Sequence, residues 1–135
     1  MADISRTITQ LASLFADNNT AQISAQDLRD FLVSVRLNNV TLVEGAAHEL
    51  TADDVSGGTI HVAYTDTGVC AITWPTALLI DGKEVTIKDA EGNSSVNNIT
   101  VTPESGTIDE DANFPIAVDF SAYTIYCYDG NLFLK

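Results

Sequence analysis

Apolar positions are spaced by one rule at the start of the chain and by another beyond residue 40. In the first stretch Ile4, Ile8, Leu11 and Phe15 recur every three or four residues, which places them on one face of a helix entered at Asp3. Asp17-Asn18-Asn19-Thr20 interrupts that pattern, because short polar side chains compete for the backbone hydrogen bonds a helix needs. A second helix opens at Ser24, with Asp27 three residues on in a position resembling a capping box. Leu28, Phe31, Leu32 and Val35 form its apolar stripe, and Asn38-Asn39 ends it. Helices this short are marginal alone in water, so both need a surface to pack on.

Beyond residue 40 the period becomes two. Ile60, Val62 and Tyr64 alternate with polar or small residues after Gly57-Gly58, and Cys70, Ile72 and Trp74 do the same. Val85 and Ile87 follow the Asp81-Gly82 turn, while Ile99 and Val101 lie between Gly92-Asn93 and Pro103. Phe114, Ile116, Val118 and Phe120 suggest a further strand. Tyr123 to Tyr128, Asp129-Gly130, then Asn131 to Lys135 is a hairpin signature, since both turn positions favour positive φ. Short strands separated by frequent turns predict a mainly β protein. The expected architecture is a small antiparallel β-sandwich or barrel-like body over 41–135, preceded by a pair of α-helices within 1–40.

Charge divides at the same place. The chain of 135 residues carries a formal net charge of −13. The arm contributes −1, with Arg6, Arg29 and Arg36 against four aspartates, and the body −12, with three lysines against fifteen acids. Such a surface repels phosphate backbones and anionic lipid headgroups, so neither nucleic acid nor membrane is an expected partner. No apolar run reaches the roughly 18–20 residues that cross a bilayer, and Met-Ala-Asp-Ile-Ser-Arg-Thr does not begin as a secretory signal does. The nearly neutral arm, with its apolar faces, either docks on another molecule or covers one end of the β body.

Candidate chemistry is sparse. Cys70 and Cys127 lack metal-ligand or CxxC spacing and sit in apolar runs, so they are expected as two free core thiols. His48 falls in Ala46-Ala47-His48-Glu49, read as a loop, and His61 on the polar side of a strand. Asp53 and Asp54 near His61, and the run Asp109-Glu110-Asp111, are read as solvated turns. Aligning Ala16 to Asp27 on a calcium loop leaves it without its first carboxylate and its glycine, so no metal is expected there. Nucleotide and zinc-protease motifs are absent. Neither a catalytic site nor a cofactor is expected.

Two parts of the chain resemble structural proteins of tailed bacteriophages. One is Ile4 to Val35, above all Ile23-Ser24-Ala25-Gln26-Asp27-Leu28-Arg29-Asp30-Phe31. The other runs through Val85-Thr-Ile-Lys-Asp-Ala-Glu-Gly-Asn93, Asn98-Ile-Thr-Val101, Gly106-Thr-Ile-Asp109 and the closing Tyr123 to Phe133. The resemblance implies a virion component on the exterior of the particle, of the capsid decoration, head-fibre or tail-fibre type, and a homotrimer. A short chain without repeats fits a decoration or head-fibre role, in which many weak contacts add up through multivalency. Ile4, Ile8, Leu11, Phe15, Leu28, Phe31, Leu32 and Val35 would then dock on the major capsid protein or another virion protein. The alternative is a tail-fibre or receptor-binding module. In that case Tyr64, Trp74, Tyr123, Tyr126 and Tyr128 are candidates to stack on a host glycan.

Overall fold

The structure is a computed structural model and describes residues 39–135. The expected helices and all eight proposed docking residues lie outside the described residues, which make up the β body alone.

Its strands are β1 (Val40–Val43), β2 (Ala47–Glu49), β3 (Ser56–Val62), β4 (Cys70–Trp74), β5 (Glu84–Asp89), β6 (Ile99–Pro103), β7 (Phe114–Ile116), β8 (Ala122–Tyr128) and β9 (Asn131–Leu134). They form a five-stranded sheet in the order β1-β3-β5-β8-β9 and a four-stranded sheet in the order β2-β4-β6-β7. From β1 to β6 the chain switches sheet at every turn. Each strand therefore returns beside the one two places earlier and runs parallel to it, so β1–β2, β3–β4 and β5–β6 are three stacked coils. β7 then folds back antiparallel on β6, β8 antiparallel on β5, and β9 closes the hairpin with β8.

The body is mainly β, but the expected antiparallel arrangement is corrected: both sheets are mixed. Alternation of apolar and polar residues fixes which side chains point inward and says nothing of strand direction. Hairpin turns force neighbours antiparallel, whereas turns that cross to the opposite sheet leave the next neighbour parallel. The coils also differ in length, since Val40 aligns with Thr59 but Ile60 with Ile87, so no repeat period marks the sequence.

The inward positions are those the alternation selects. Ile60, Val85, Ile87 and Ile125 from one sheet meet Cys70, Ile72, Trp74, Val101 and Ile116 from the other in one core, each fully buried. In register, Ile60 stacks on Ile87, Val85 on Ile125, and Ile72 on Val101, so like-sized side chains form ladders along the coil axis. Trp74 is buried with its indole N–H donating to the Leu78 carbonyl at 3.0 Å, which satisfies the one polar atom it carries inside. Cys70 and Cys127 are free and buried, as expected. Burial pushes both thiols above their ordinary pKa, and the Asp81 charge adds to the shift at Cys127.

The Asp129-Gly130 turn has φ of 50° and 72°, so the hairpin forms where its two-residue loop demands it. The strand expected at Phe114 ends at Ile116; Val118 and Phe120 are exposed, 60% and 63%, in the turn beyond it. His48 is corrected too, from loop to the middle of β2, where it aligns with Ile72.

The two ends of the stack differ. At the β9 end, the segment after Gly106 lies along the outer strand: Leu132 donates to the Thr107 carbonyl at 2.8 Å and Asp109 to the Leu132 carbonyl at 3.0 Å. Asp109 and Glu110, at φ of 46° and 74°, turn the chain there. The Asp109 carboxylate lies within 3.4 Å of the Leu134 N–H. The acidic run is exposed, as expected of a solvated turn, and its backbone also covers a sheet edge, a common protection against edge-to-edge pairing. At the other end, the outer edges of β1 and β2 meet no strand among the described residues.

Candidate functional site

Three arrangements of polar side chains stand out in the body. The first is at the β1–β2 end. Asp54, 1% exposed, sits in the turn after β2. It accepts hydrogen bonds from the Thr41 hydroxyl of β1, from the Thr51 N–H at 2.8 Å, and from the Thr51 hydroxyl at 2.9 Å. His48 Nε2 lies 3.1 Å from the same carboxylate. Burial pushes this carboxyl up, but the hydrogen bonds from Thr41, Thr51 and His48 outweigh it and hold the group below its ordinary value. The expectation of a solvated Asp54 is therefore overturned. One carboxylate ties an edge strand of each sheet to the turn between β2 and β3. Every partner here serves to hold the carboxylate.

The second arrangement ties turns at the opposite side of the sheets. Asp89, 2% exposed, ends β5 and accepts the N–H groups of Gly92, Ser94 and Phe120 at 3.0, 3.2 and 3.1 Å. Burial again pushes its pKa up, and the bonds from Ser94, Phe120 and Gly92 bring it below the ordinary value. Asp119 reinforces the link by accepting the Ser95 N–H and hydroxyl at 2.7 and 2.9 Å. These two carboxylates lock the β5–β6 turn to the β7–β8 turn.

The third lies on the outer face of the five-stranded sheet. Glu84, Tyr126 and Phe133 align across β5, β8 and β9. The two rings stand 5.6 Å apart at 31°. Lys135 reaches over β8 to place its Nζ 3.0 Å from Glu84 Oε2. Gly82, Glu84, Tyr126 and Lys135 line a shallow open cleft of about 380 Å³ beside this pair.

The aromatic residues singled out from sequence fall into two groups. Trp74 and Tyr64 belong to the core, and Tyr123 packs edge-on against Phe114 at 5.1 Å. Only Tyr126 and Tyr128 face outward, Tyr128 being 62% exposed. Phe133, which no pattern in the sequence sets apart, joins them because the hairpin register brings it opposite Tyr126. The pairing of His48 with Asp54 was likewise hidden, since His48 stands between small and acidic neighbours that read as a loop.

Charge has its own geography. Beyond residue 40, all acidic residues except Glu49, Glu84 and Asp89 stand in the turns that join the strands, while the broad faces carry mostly Thr, Ala and aromatic side chains. Among the described residues no group of three or more His, Cys, Asp or Glu side chains is placed to hold a metal ion. Compared with protein-family models and with curated proteins, the chain finds no match in either.

Proposed function

We propose that this protein is a structural component of a tailed-bacteriophage virion. In this reading it is a capsid decoration or head-fibre protein that grips the shell through its first 37 residues and holds the β body outward. It works by adhesion and shape rather than by catalysis, most simply as a homotrimer. The observation that carries the reading is the placing of charge. The arm is close to neutral with two apolar stripes, whereas the body concentrates its acids in the turns along its flanks. Acidic turns keep a body solvated, so attachment falls to the segment that lacks this charge. The body is also built to persist, with a single core and two turn-locking carboxylates.

The test uses the full chain and particles that lack it. Leu28→Asp and Phe31→Asp each place a charge in the proposed docking stripe. Decoration is expected to fall at least tenfold while the far-ultraviolet spectrum of the β body is unchanged. Undiminished decoration by both variants would refute the docking role of the arm.

A further inference from the structure

We propose that the cleft lined by Gly82, Glu84, Tyr126 and Lys135 binds a single neutral pyranose ring. This inference does not depend on where in a particle the protein sits.

Three observations converge on it. Tyr126 lies in β8, between β5 and β9, so its ring is held on a rigid sheet, and Phe133 braces it from the neighbouring strand. An aromatic ring presented this way offers a flat apolar surface to the C–H face of a sugar. Beside it, Glu84 offers acceptor oxygens and Lys135 offers donors, 3.0 Å apart. Each is well exposed, 39% and 63%, so their mutual attraction adds little to stability and is readily exchanged for a ligand's hydroxyl groups. Finally, Gly82 lines the cleft at φ 82°, and a Cβ there would meet nothing within 4 Å, so the cleft is open on that side.

The same residues set specificity. A vicinal diol can donate to the Glu84 carboxylate and accept from the Lys135 ammonium, as no purely apolar ligand can. An anionic sugar gains from Lys135 but is opposed by Glu84 at hydrogen-bond distance and by the field of a chain at −13. Neutral hexopyranosides are therefore favoured over uronic acids.

The experiment is a nuclear magnetic resonance titration of the full chain. The probes are the methyl glycosides of glucose, galactose and mannose, with glucuronic and galacturonic acids for comparison. At least one neutral glycoside is expected to shift the amide signals of Gly82, Glu84, Tyr126 and Lys135, with a dissociation constant on the order of millimolar for so small a ligand. Tyr126→Leu, which keeps an apolar side chain on the sheet, is expected to weaken binding at least tenfold, and Tyr128→Ala to leave it unchanged. Should the Tyr126 variant fail to fold, Lys135→Ala carries the test with an expected loss of threefold or more. No shift from any neutral glycoside would overturn the proposal. So would shifts indifferent to the variant tested, or uronic acids binding as well as the neutral sugars.

Discussion

Replacing Asp54 by alanine removes the hydrogen bonds that join Thr41 of β1, His48 of β2 and Thr51 of the turn between β2 and β3. Each hydrogen bond to a buried carboxylate is worth roughly 1.5–3 kcal/mol. Thr41 and His48 are only half-buried and Thr51 is exposed, so water recovers part of what is lost. A net destabilisation of about 3 kcal/mol is expected, which at a urea m-value of about 1.5 kcal/mol/M moves the midpoint down by about 2 M. Asp54→Asn is expected to lie between, because it is uncharged and its one amide oxygen replaces two carboxylate acceptors. The loss also has a place. β1 and β2 each have one strand neighbour, so amide exchange should quicken first at Ala63 and Ala71, whose N–H groups bond the ends of those strands.

The pH dependence rests on the same bonds. Asp54 is held below its ordinary value of 3.8 in the folded chain, so its contribution is fully present above pH 3.8. It disappears as the pH falls through the lower, folded value. Urea titrations between about pH 2 and 7 should show a steeper acid loss in the parent chain than in Asp54→Asn. An Asp54→Ala chain with an unshifted midpoint and unchanged exchange at Ala63 and Ala71 would refute the role given to this carboxylate.

Other consequences are open to direct measurement. Gly106→Ala should cost about 2–4 kcal/mol, because a Cβ there would lie 2.5 Å from the Gly130 carbonyl oxygen at φ 74°. Gly130→Ala should cost only about 1 kcal/mol, since its left-handed backbone has open space around it; equal midpoints for the two variants would contradict this. Cys70 and Cys127, both buried with raised pKa, should resist a thiol reagent in native buffer and react in urea, and prompt reaction of the folded chain would contradict their burial. Asp89→Ala should loosen the β5–β6 and β7–β8 turns together, seen as faster exchange at both Ser94 and Phe120, and a change at only one would show the two turns to be independent. Sedimentation at micromolar concentration should give a trimer, and a stable monomer would remove that part of the proposed function.

The inward face of most strands was legible in the sequence. Ile60, Ile72, Trp74, Val85, Val101 and Ile125 are buried where a period of two puts them, and Asp129-Gly130 turns where its dihedral preference requires. Strand direction was not legible, because the alternation is the same in parallel and antiparallel sheets. The deciding feature is whether a turn crosses between sheets, and that depends on long-range packing. Strands of three and four residues, such as β2 and β1, are too short for any period to appear, which hid His48 and with it the partner of Asp54. Val118 and Phe120 continue the period of Phe114 and Ile116 but are drawn out of the sheet, with the Phe120 N–H bonded to Asp89 instead of a strand. For the cleft, the sequence supplied Tyr126 among several aromatics. Alternation with the buried Ile125 and Cys127 turns it outward, and the register of β5, β8 and β9 sets Glu84, Phe133 and Lys135 around it.

The proposed attachment of this chain to the outside of a virion shell by its first residues is tested most directly by electron cryomicroscopy of decorated particles. The two-sheet body is expected as density standing off the capsid surface, joined to the shell by the arm. Density for the body at the tail, or purified particles from which the chain is absent, would contradict it.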